Sequence, residues 1–252
     1  LERFENRKRE HLREALKSEH QAATERDLDQ YRLTHEALPD FNLSDADLST
    51  PFLDRPLKTP YFVAGMTAGH KDALALNQRI AAACQERGWA MGGGSQRRAL
   101  EAGGDLAQET IAQWRAFRKA APNLVLFANI GISQIIAGNL DRIRNMMDLM
   151  EADLLMVHLN ALQEALQPEG TPQFKGSWQA LEWLVRQLGR PVGVKETGCG
   201  ISRSTSQRMA QLGLAAIDVS GLGGTHWGRI EGARAEAGSL RGLAAATFAN
   251  WG

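Results

Sequence analysis

The sequence lacks the features that mark several large classes of protein. Its 252 residues include two cysteines, Cys84 and Cys199, which are too few for a disulfide framework and do not have the spacing of a zinc site. No apolar run approaches the roughly 20 residues of a membrane-spanning helix, and the first residues lack the apolar centre of a signal peptide. We therefore expect reduced thiols and a cytoplasmic protein.

Neither sign of charge is in excess. The chain carries 29 Lys plus Arg and 29 Asp plus Glu, with 43% hydrophobic and 23% charged residues. This balance argues against a polybasic nucleic-acid module and against a disordered tail. We expect a globular protein with neither a nucleic-acid nor a membrane partner, of a length that suits a single α/β barrel domain.

Composition divides the chain into three segments. Residues 1–38 are predicted to be a helical segment, and the eight basic and nine acidic side chains interleaved in residues 1–36 favour a helix exposed outside the core. Residues 39–60 are rich in proline, aspartate and serine, which is typical of a linker. Short apolar runs then alternate with helical periodicity, so residues 61–252 are expected to hold the main fold.

This alternation predicts six βα units. The expected strands cover residues 61–66, 89–93, 124–130, 153–159, 191–196 and 215–220. The expected helices cover residues 72–86, 105–120, 139–150, 177–188, 202–212 and 239–249. The strands are apolar on both faces, as in a parallel sheet covered by helices. Polar residues follow all six strands, and such residues meet at one mouth in a closed barrel, which favours a (β/α)8 TIM barrel over an open doubly wound sheet. Because a barrel needs eight units, we expect the C-terminal strands seven and eight to be missing.

Two sets of polar residues in the first 97 positions are candidates for anion binding. Arg7, Lys8 and His11 occupy neighbouring positions on one helix, where they form either a phosphate clamp or a solvated charged face. The turn 92–97 (GGGSQR) combines a glycine backbone with a hydroxyl and a guanidinium group. It has neither the spacing of a dinucleotide fingerprint nor the lysine of a P-loop.

Three further groups follow predicted strands. Glu164 in the segment 158–164 (HLNALQE) is a candidate Mg²⁺ ligand, because Mg²⁺ takes one or two protein carboxylates and completes its shell with phosphate oxygens. The alternative for this segment is a helix-capping network. Lys195 is a Schiff-base nucleophile, a cofactor contact or the partner of Glu196. The glycine-rich loop 220–225 suits an anionic or planar ligand, or is an ordinary loop.

Seven motifs occur together in one order: RKREH (7–11), AGMTAG (64–69), GGGSQR (92–97), NIG (129–131), HLNALQEALQPEG (158–170), VKETGCGIS (194–202) and DVSGLGGT (218–225). With them the chain resembles the type 2 isopentenyl diphosphate isomerases, a family of flavin-dependent barrels. The resemblance implies conversion of isopentenyl diphosphate to dimethylallyl diphosphate in isoprenoid biosynthesis. It also implies reduced FMN, Mg²⁺, NADPH as the reductant, and a homo-oligomer between a dimer and an octamer.

The resemblance assigns roles to individual residues. Those that would contact FMN are Met66, Thr67, Ala68, Ser95, Asn129, Lys195, Ser220 and Thr225. Those that would hold the substrate, mostly through its diphosphate, are Arg7, Lys8, Ser95, Gln96, Arg97, His158, Asn160 and Gln163. Gln163, His158 and Lys195 would act in catalysis, and Glu164 would bind Mg²⁺.

The chain also departs from the family pattern. Ala68 stands where the family usually has a glycine, and family members extend further, through strands seven and eight and a glycine-rich loop that binds the FMN phosphate. Two alternatives stay open. An FMN barrel of the 2-hydroxy acid oxidase type would share the fold and the flavin, and a truncated fragment would be inactive.

Overall fold

The computed structural model describes residues 2–21, 27–66, 71–97, 100 and 105–251. The strands are β1 Thr50–Phe52, β2 Arg55–Leu57, β3 Phe62–Val63, β4 Ala90–Gly92, β5 Val125–Gly131, β6 Leu154–His158, β7 Val192–Lys195 and β8 Ala216–Asp218. The α-helices are α1 Glu2–Ala15, α2 Lys71–Arg87, α3 Asp105–Ala120, α4 Ile132–Ala137, α5 Leu140–Met150, α6 Ala161–Leu166, α7 Ser177–Gln187, α8 Arg203–Met209, α9 Trp227–Arg234 and α10 Leu240–Thr247. None of these described helices is long and apolar enough to span a membrane.

Strands β3 to β8 form one sheet in which all neighbours are parallel and follow each other in chain order. A doubly wound sheet reverses its strand order at a switch point, whereas a barrel does not. The order therefore confirms the predicted barrel class, and these six strands form an arc of it. All six predicted strands and their helices are present. That two further strands lie beyond residue 252 stays a prediction.

The alternation of side chains along the central strands positions the site. The outward residues of β5 pack on the surrounding helices: Leu126, Ala128 and Ile130. The inward residues Phe127 and Met156, on β5 and β6, form a second apolar cluster inside the arc. The next inward positions toward the C-terminal ends carry Asn129 and His158. The apolar layer therefore supports a polar layer above it.

The expected linker contains a hairpin. Strands β1 and β2 pair antiparallel, with Pro51 opposite Pro56. Proline is tolerated in such a short edge ribbon, and for that reason the composition did not reveal the strands. Phe52 packs on Phe127 at 5.5 Å between ring centroids, and Arg55 donates to the Asp153 carboxylate at 2.8 Å. The hairpin thus covers the inward apolar cluster.

One face of α1 is buried, which the expectation of an exposed helix did not include, while Asn6, Arg9 and Arg13 are exposed as expected. Arg7, His11 and Glu14 lie on one face at 8%, 4% and 3% exposure. This face packs against α9, where the His11 ring meets the edge of Trp227 at 5.2 Å. The charge pattern did not reveal this burial because Glu231, the partner of His11, comes from α9, whereas Glu14 is paired locally with Arg13 and Lys17.

The burial of the core predicts that shortening one of its side chains destabilises the fold. Leu155 is fully buried among the outward residues. Leu155→Ala should lower the free energy of unfolding by about 2–5 kcal/mol, through lost burial and a residual cavity. Leu243→Ala, at a 60% exposed position, is the control and should cost far less. Urea unfolding of both variants measures the difference, and equal losses would contradict this core assignment.

Candidate active site

A cavity opens at the C-terminal ends of the strands and encloses about 680 Å³ of space continuous with solvent. Its walls come from α1, the strand ends, α6 and α9. Eleven of the residues predicted for the site line it: Arg7, Lys8, Met66, Ser95, Arg97, Asn129, His158, Asn160, Gln163, Glu164 and Lys195. The structure thus gathers most of the predicted residues, from parts of the chain up to 188 positions apart (195 − 7).

Strand register places three ionisable residues side by side. His158 pairs with Lys195, and Lys195 pairs with Asp218 on the next strand. The Lys195 ammonium donates to the Glu196 carbonyl oxygen at 2.7 Å. The Glu196 carboxylate instead accepts backbone N–H groups of residues 198–200. The expected alternative of a hydrogen-bonded Lys195–Glu196 side-chain pair is therefore not formed. Burial lowers the pKa of Lys195, against the opposing effect of Asp218 and Glu196.

His158 is held as a neutral ring. Its Nδ1–H donates to Asn129 Oδ1 at 2.7 Å, which leaves Nε2 unprotonated. Burial, together with the positive charges of Lys195 and Lys8, lowers the pKa of His158 to about 3. At neutral pH this ring can orient a ligand or accept a hydrogen bond, but it carries no charge.

Gln96 lies behind the cavity and does not line it. It is 2% exposed, its Oε1 accepts the Asn129 N–H, and its Nε2 donates to the Gly94 carbonyl oxygen. The Gln96 backbone N–H also donates to the Asn129 carbonyl oxygen at 2.8 Å. Gln96 therefore fixes the backbone of Asn129, which in turn holds His158.

Glu164 sits in a network at the start of α6. Its Oε1 accepts from Asn160 Nδ2 at 2.9 Å, and its Oε2 accepts from the Thr171 N–H at 2.5 Å. At Gly170 a side chain would collide with the Glu164 carbonyl oxygen, so this turn requires glycine. Glu164 also lines the cavity. No group of three His, Cys, Asp or Glu in the described part of the chain could hold a metal, so a metal here would need ligands from another molecule.

The cavity is strongly cationic. Arg7, Lys8, Arg97 and Lys195 line it, and Glu164 is the one acidic residue among its described lining residues. Burial and the neighbouring Arg7 lower the pKa of Lys8 to about 8. Burial likewise lowers the pKa of Arg7. Such mutual repulsion is relieved when an anion binds.

The sequence analysis did not identify two residues of α9, Glu231 and Arg234, as part of the site. Glu231 is fully buried, accepts from Gln163 Nε2 at 3.2 Å and from Arg234 Nη1 at 2.6 Å, and lies 2.9 Å from His11 Nε2. Burial opposes its ionisation, yet His11 and Arg234 hold the pKa of Glu231 below its usual value. The one signal was the three-residue spacing of Glu231 and Arg234, which is common on exposed helices.

Four predicted FMN contacts are not among the described residues that line the cavity. Ser220 is exposed with a positive φ of 54°, and Thr225 bridges to Gln21; neither lines the cavity. Thr67 and Ala68 lie outside the described residues. For these four positions the contact with FMN stays a prediction.

The neutrality of His158 can be tested by NMR. Its ring should stay unprotonated as the pH falls from its ordinary pKa of 6.5 toward 3. The unfolded chain takes up this proton first, so His158 makes the folded state less stable as the pH falls through that window. Lys195→Met should raise the pKa of His158, whereas Lys175→Met, at an exposed position, should not. A ring that titrates near 6.5 would refute the assignment.

Comparison with known proteins gives relatives of similar sequence. Curated proteins named isopentenyl-diphosphate delta-isomerase are 44% identical in Legionella pneumophila (strain Lens), over 99% of this chain and 71% of that protein, and 48% identical in Bdellovibrio bacteriovorus, over 99% and 72%. The protein of that name from Nostoc sp. is 40% identical over 98% and 69%. No family model matches the chain.

Solved structures give weaker likenesses. A mandelate oxidase with 3,3-difluoro-2-hydroxy-3-phenylpropionic acid has a TM-score of 0.43 and 13% identity, over 70% of this chain and 52% of that one. The carboxyl transferase domain of Rhizobium etli pyruvate carboxylase has a TM-score of 0.37 and 15% identity, over 75% and 32%. These scores are too low to support a structural argument.

Proposed function

Since the chain belongs to the isopentenyl-diphosphate delta-isomerase family, as the motifs predicted, we propose that it converts isopentenyl diphosphate to dimethylallyl diphosphate in the cavity above β3–β8. One observation carries the assignment of the site. The cavity gathers Arg7, Lys8 and Arg97, which are not all close in sequence, together with the amide of Gln163 and the neutral ring of His158. It thus offers cationic groups for a diphosphate and uncharged side chains for a hydrocarbon.

The cationic groups are suited to a diphosphate. Arg97 presents a planar fork of donors, and Arg7 and Lys8 add charge from α1. Burial lowers the pKa values of Arg7 and Lys8, so an anionic ligand beside them would favour their charged forms. A 2-hydroxy acid carries one carboxylate and would match this surplus of charge less well.

Glu164 fits a Mg²⁺ ion shared with the substrate. Its carboxylate is anchored by Asn160 and Thr171 but lines the cavity. A single protein carboxylate with substrate phosphate oxygens and water is an ordinary Mg²⁺ environment. Glu164 would hold the ion, which would supply positive charge to neutralise the diphosphate.

Met66, Ser95, Asn129 and Lys195 line the cavity and would contact reduced FMN, which NADPH would maintain. The ammonium of Lys195 would stabilise negative charge on a reduced flavin ring. When bound, reduced FMN would supply the acid that the double-bond shift needs.

The residues of the chain orient the reacting end of the substrate. Gln163 donates to Glu231 through Nε2, and its Oε1 accepts from Asn160 Nδ2 at 3.4 Å, so both ends of this amide are fixed. His158 is fixed by Asn129. Trp227 and residues of α1 form part of the cavity wall, where the Trp227 ring contacts His11. Proximity and orientation are the contributions that the protein makes in this mechanism.

A direct assay tests the proposal. The purified chain is supplied with reduced FMN, Mg²⁺ and isopentenyl diphosphate, and the methyl signals of dimethylallyl diphosphate are followed by NMR. Flavin absorbance that stays with the protein after gel filtration reports FMN binding separately. Product formation supports the proposal. Bound flavin with turnover of a 2-hydroxy acid, but not of isopentenyl diphosphate, would favour the oxidase alternative.

Lys8 should make substrate binding depend on pH. A diphosphate favours the charged form of Lys8, so affinity is greatest below the pKa of about 8 and is lost as the pH rises through it. Above that value KM should rise by up to about tenfold per pH unit. Lys8→Met should raise KM at neutral pH and flatten the profile, whereas Lys119→Met, on the exposed face of α3, should reproduce the parent. A parent profile that is flat through pH 8 would contradict the role.

Glu164 should set the Mg²⁺ requirement. Glu164→Gln keeps an oxygen acceptor and the side-chain shape but removes the charge, so the Mg²⁺ concentration for half activity should rise roughly tenfold to hundredfold. Circular dichroism and flavin content should not change. Glu236→Gln, at an exposed position after α9, is the control. An unchanged Mg²⁺ titration for Glu164→Gln would exclude it as the ligand.

A further inference from the structure

Arg234, at the end of α9, joins three elements through one guanidinium group. Its Nε donates to Glu10 of α1 at 2.9 Å, and its Nη1 donates to Glu231 of α9 at 2.6 Å. Its Nη2 donates to Glu169, in the turn after α6, at 3.1 Å. The side chain of Arg234 is 7% exposed. A guanidinium group carries five N–H donors in a planar fork, so it can serve three carboxylates at once in a fixed geometry.

Without Arg234, the three carboxylates that it binds would lose the positive charge that they share. Burial opposes its charge, but Glu231, Glu10 and Glu169 together raise the pKa of Arg234 far above its ordinary value. If the guanidinium were removed, three carboxylates would face each other near a buried position. The carboxylate that can move away is Glu10, since its side chain is 44% exposed and it belongs to α1.

Movement of Glu10 would move the diphosphate-binding residues. Glu10 follows Arg7 and Lys8 on the same helix, within one turn. Arg7 and Lys8 line the cavity, whereas Glu10 faces Arg234. A tilt of α1 away from α9 therefore withdraws both cations together.

We propose that Arg234 is a positioning residue that holds α1 over the cavity through Glu10, and so sets the affinity for the diphosphate end of the ligand. This inference rests on the proposed function for the identity of the ligand. It does not require Arg234 to touch the substrate.

The test removes the negative charge from the α1 contact and leaves the buried Arg234–Glu231 pair intact. Glu10→Gln should weaken binding of inorganic pyrophosphate, measured by calorimetry, by about fivefold to tenfold, the usual effect of losing one charge-assisted hydrogen bond. In the isomerase assay KM should rise by a similar factor while kcat stays within about twofold. Trypsin should cleave α1 faster in the folded variant. Arg9→Gln, at an exposed position of α1, should behave like the parent in all three measurements.

Two further variants separate positioning from general stability. Arg234→Lys keeps the charge but not the fork, so it should repeat the effect of Glu10→Gln with an unchanged far-UV spectrum. In a chain that already carries Arg7→Ala and Lys8→Ala, Glu10→Gln should have little further effect on pyrophosphate binding, because it acts through those two residues.

The outcomes are distinguishable. Unchanged pyrophosphate affinity in Glu10→Gln, or an equal loss in the Arg7→Ala and Lys8→Ala background, would overturn the inference. If the parent binds pyrophosphate with this dependence on Glu10 but does not isomerise isopentenyl diphosphate, the proposed function fails and the positioning role stands. If the parent isomerises isopentenyl diphosphate and Glu10→Gln has the parental KM, the proposed function stands and the positioning role of Arg234 fails.

Discussion

Glu231 is completely buried, and its carboxylate joins helices that are far apart in the chain. One oxygen accepts from Gln163 of α6 and lies beside His11 of α1, and the other accepts from Arg234 of α9. A buried carboxylate is costly unless its oxygens have partners, so each partner is held where the carboxylate needs it. The position of α1, the orientation of the Gln163 amide and the position of the end of α9 therefore depend on the Glu231 carboxylate.

The sheet supplies a rigid platform for this arrangement. Apolar side chains on the outward face bury the strands against helices, while the inward face changes from Phe127 and Met156 to Asn129 and His158 as it approaches the C-terminal ends. Parallel register then places His158 beside Lys195. Polar residues held on strand ends are positioned more precisely than residues on loops, which suits a site whose work is orientation.

Electrostatic interactions link the charged side chains of the cavity to its neutral histidine, His158. Burial and the positive charges of Lys195 and Lys8 lower the pKa of His158. Burial and the charge of Arg7 lower the pKa of Lys8. The free cavity therefore holds charges that repel each other, and an anionic ligand relieves this repulsion. A ligand that binds only the folded state also stabilises it, so folding and ligand binding are coupled here.

Local pattern in the sequence determined the βα alternation, the barrel class and most of the residues that line the cavity, since parallel strands bring their C-terminal ends together whatever their separation in the chain. Tertiary structure alone decided the burial of α1, the hairpin at Phe52, the place of Gln96 behind the cavity and the roles of Glu231 and Arg234. The physical reason is the same in each case. A charged or polar side chain in sequence gives no sign of which distant partner will desolvate it, and only the folded chain supplies that partner.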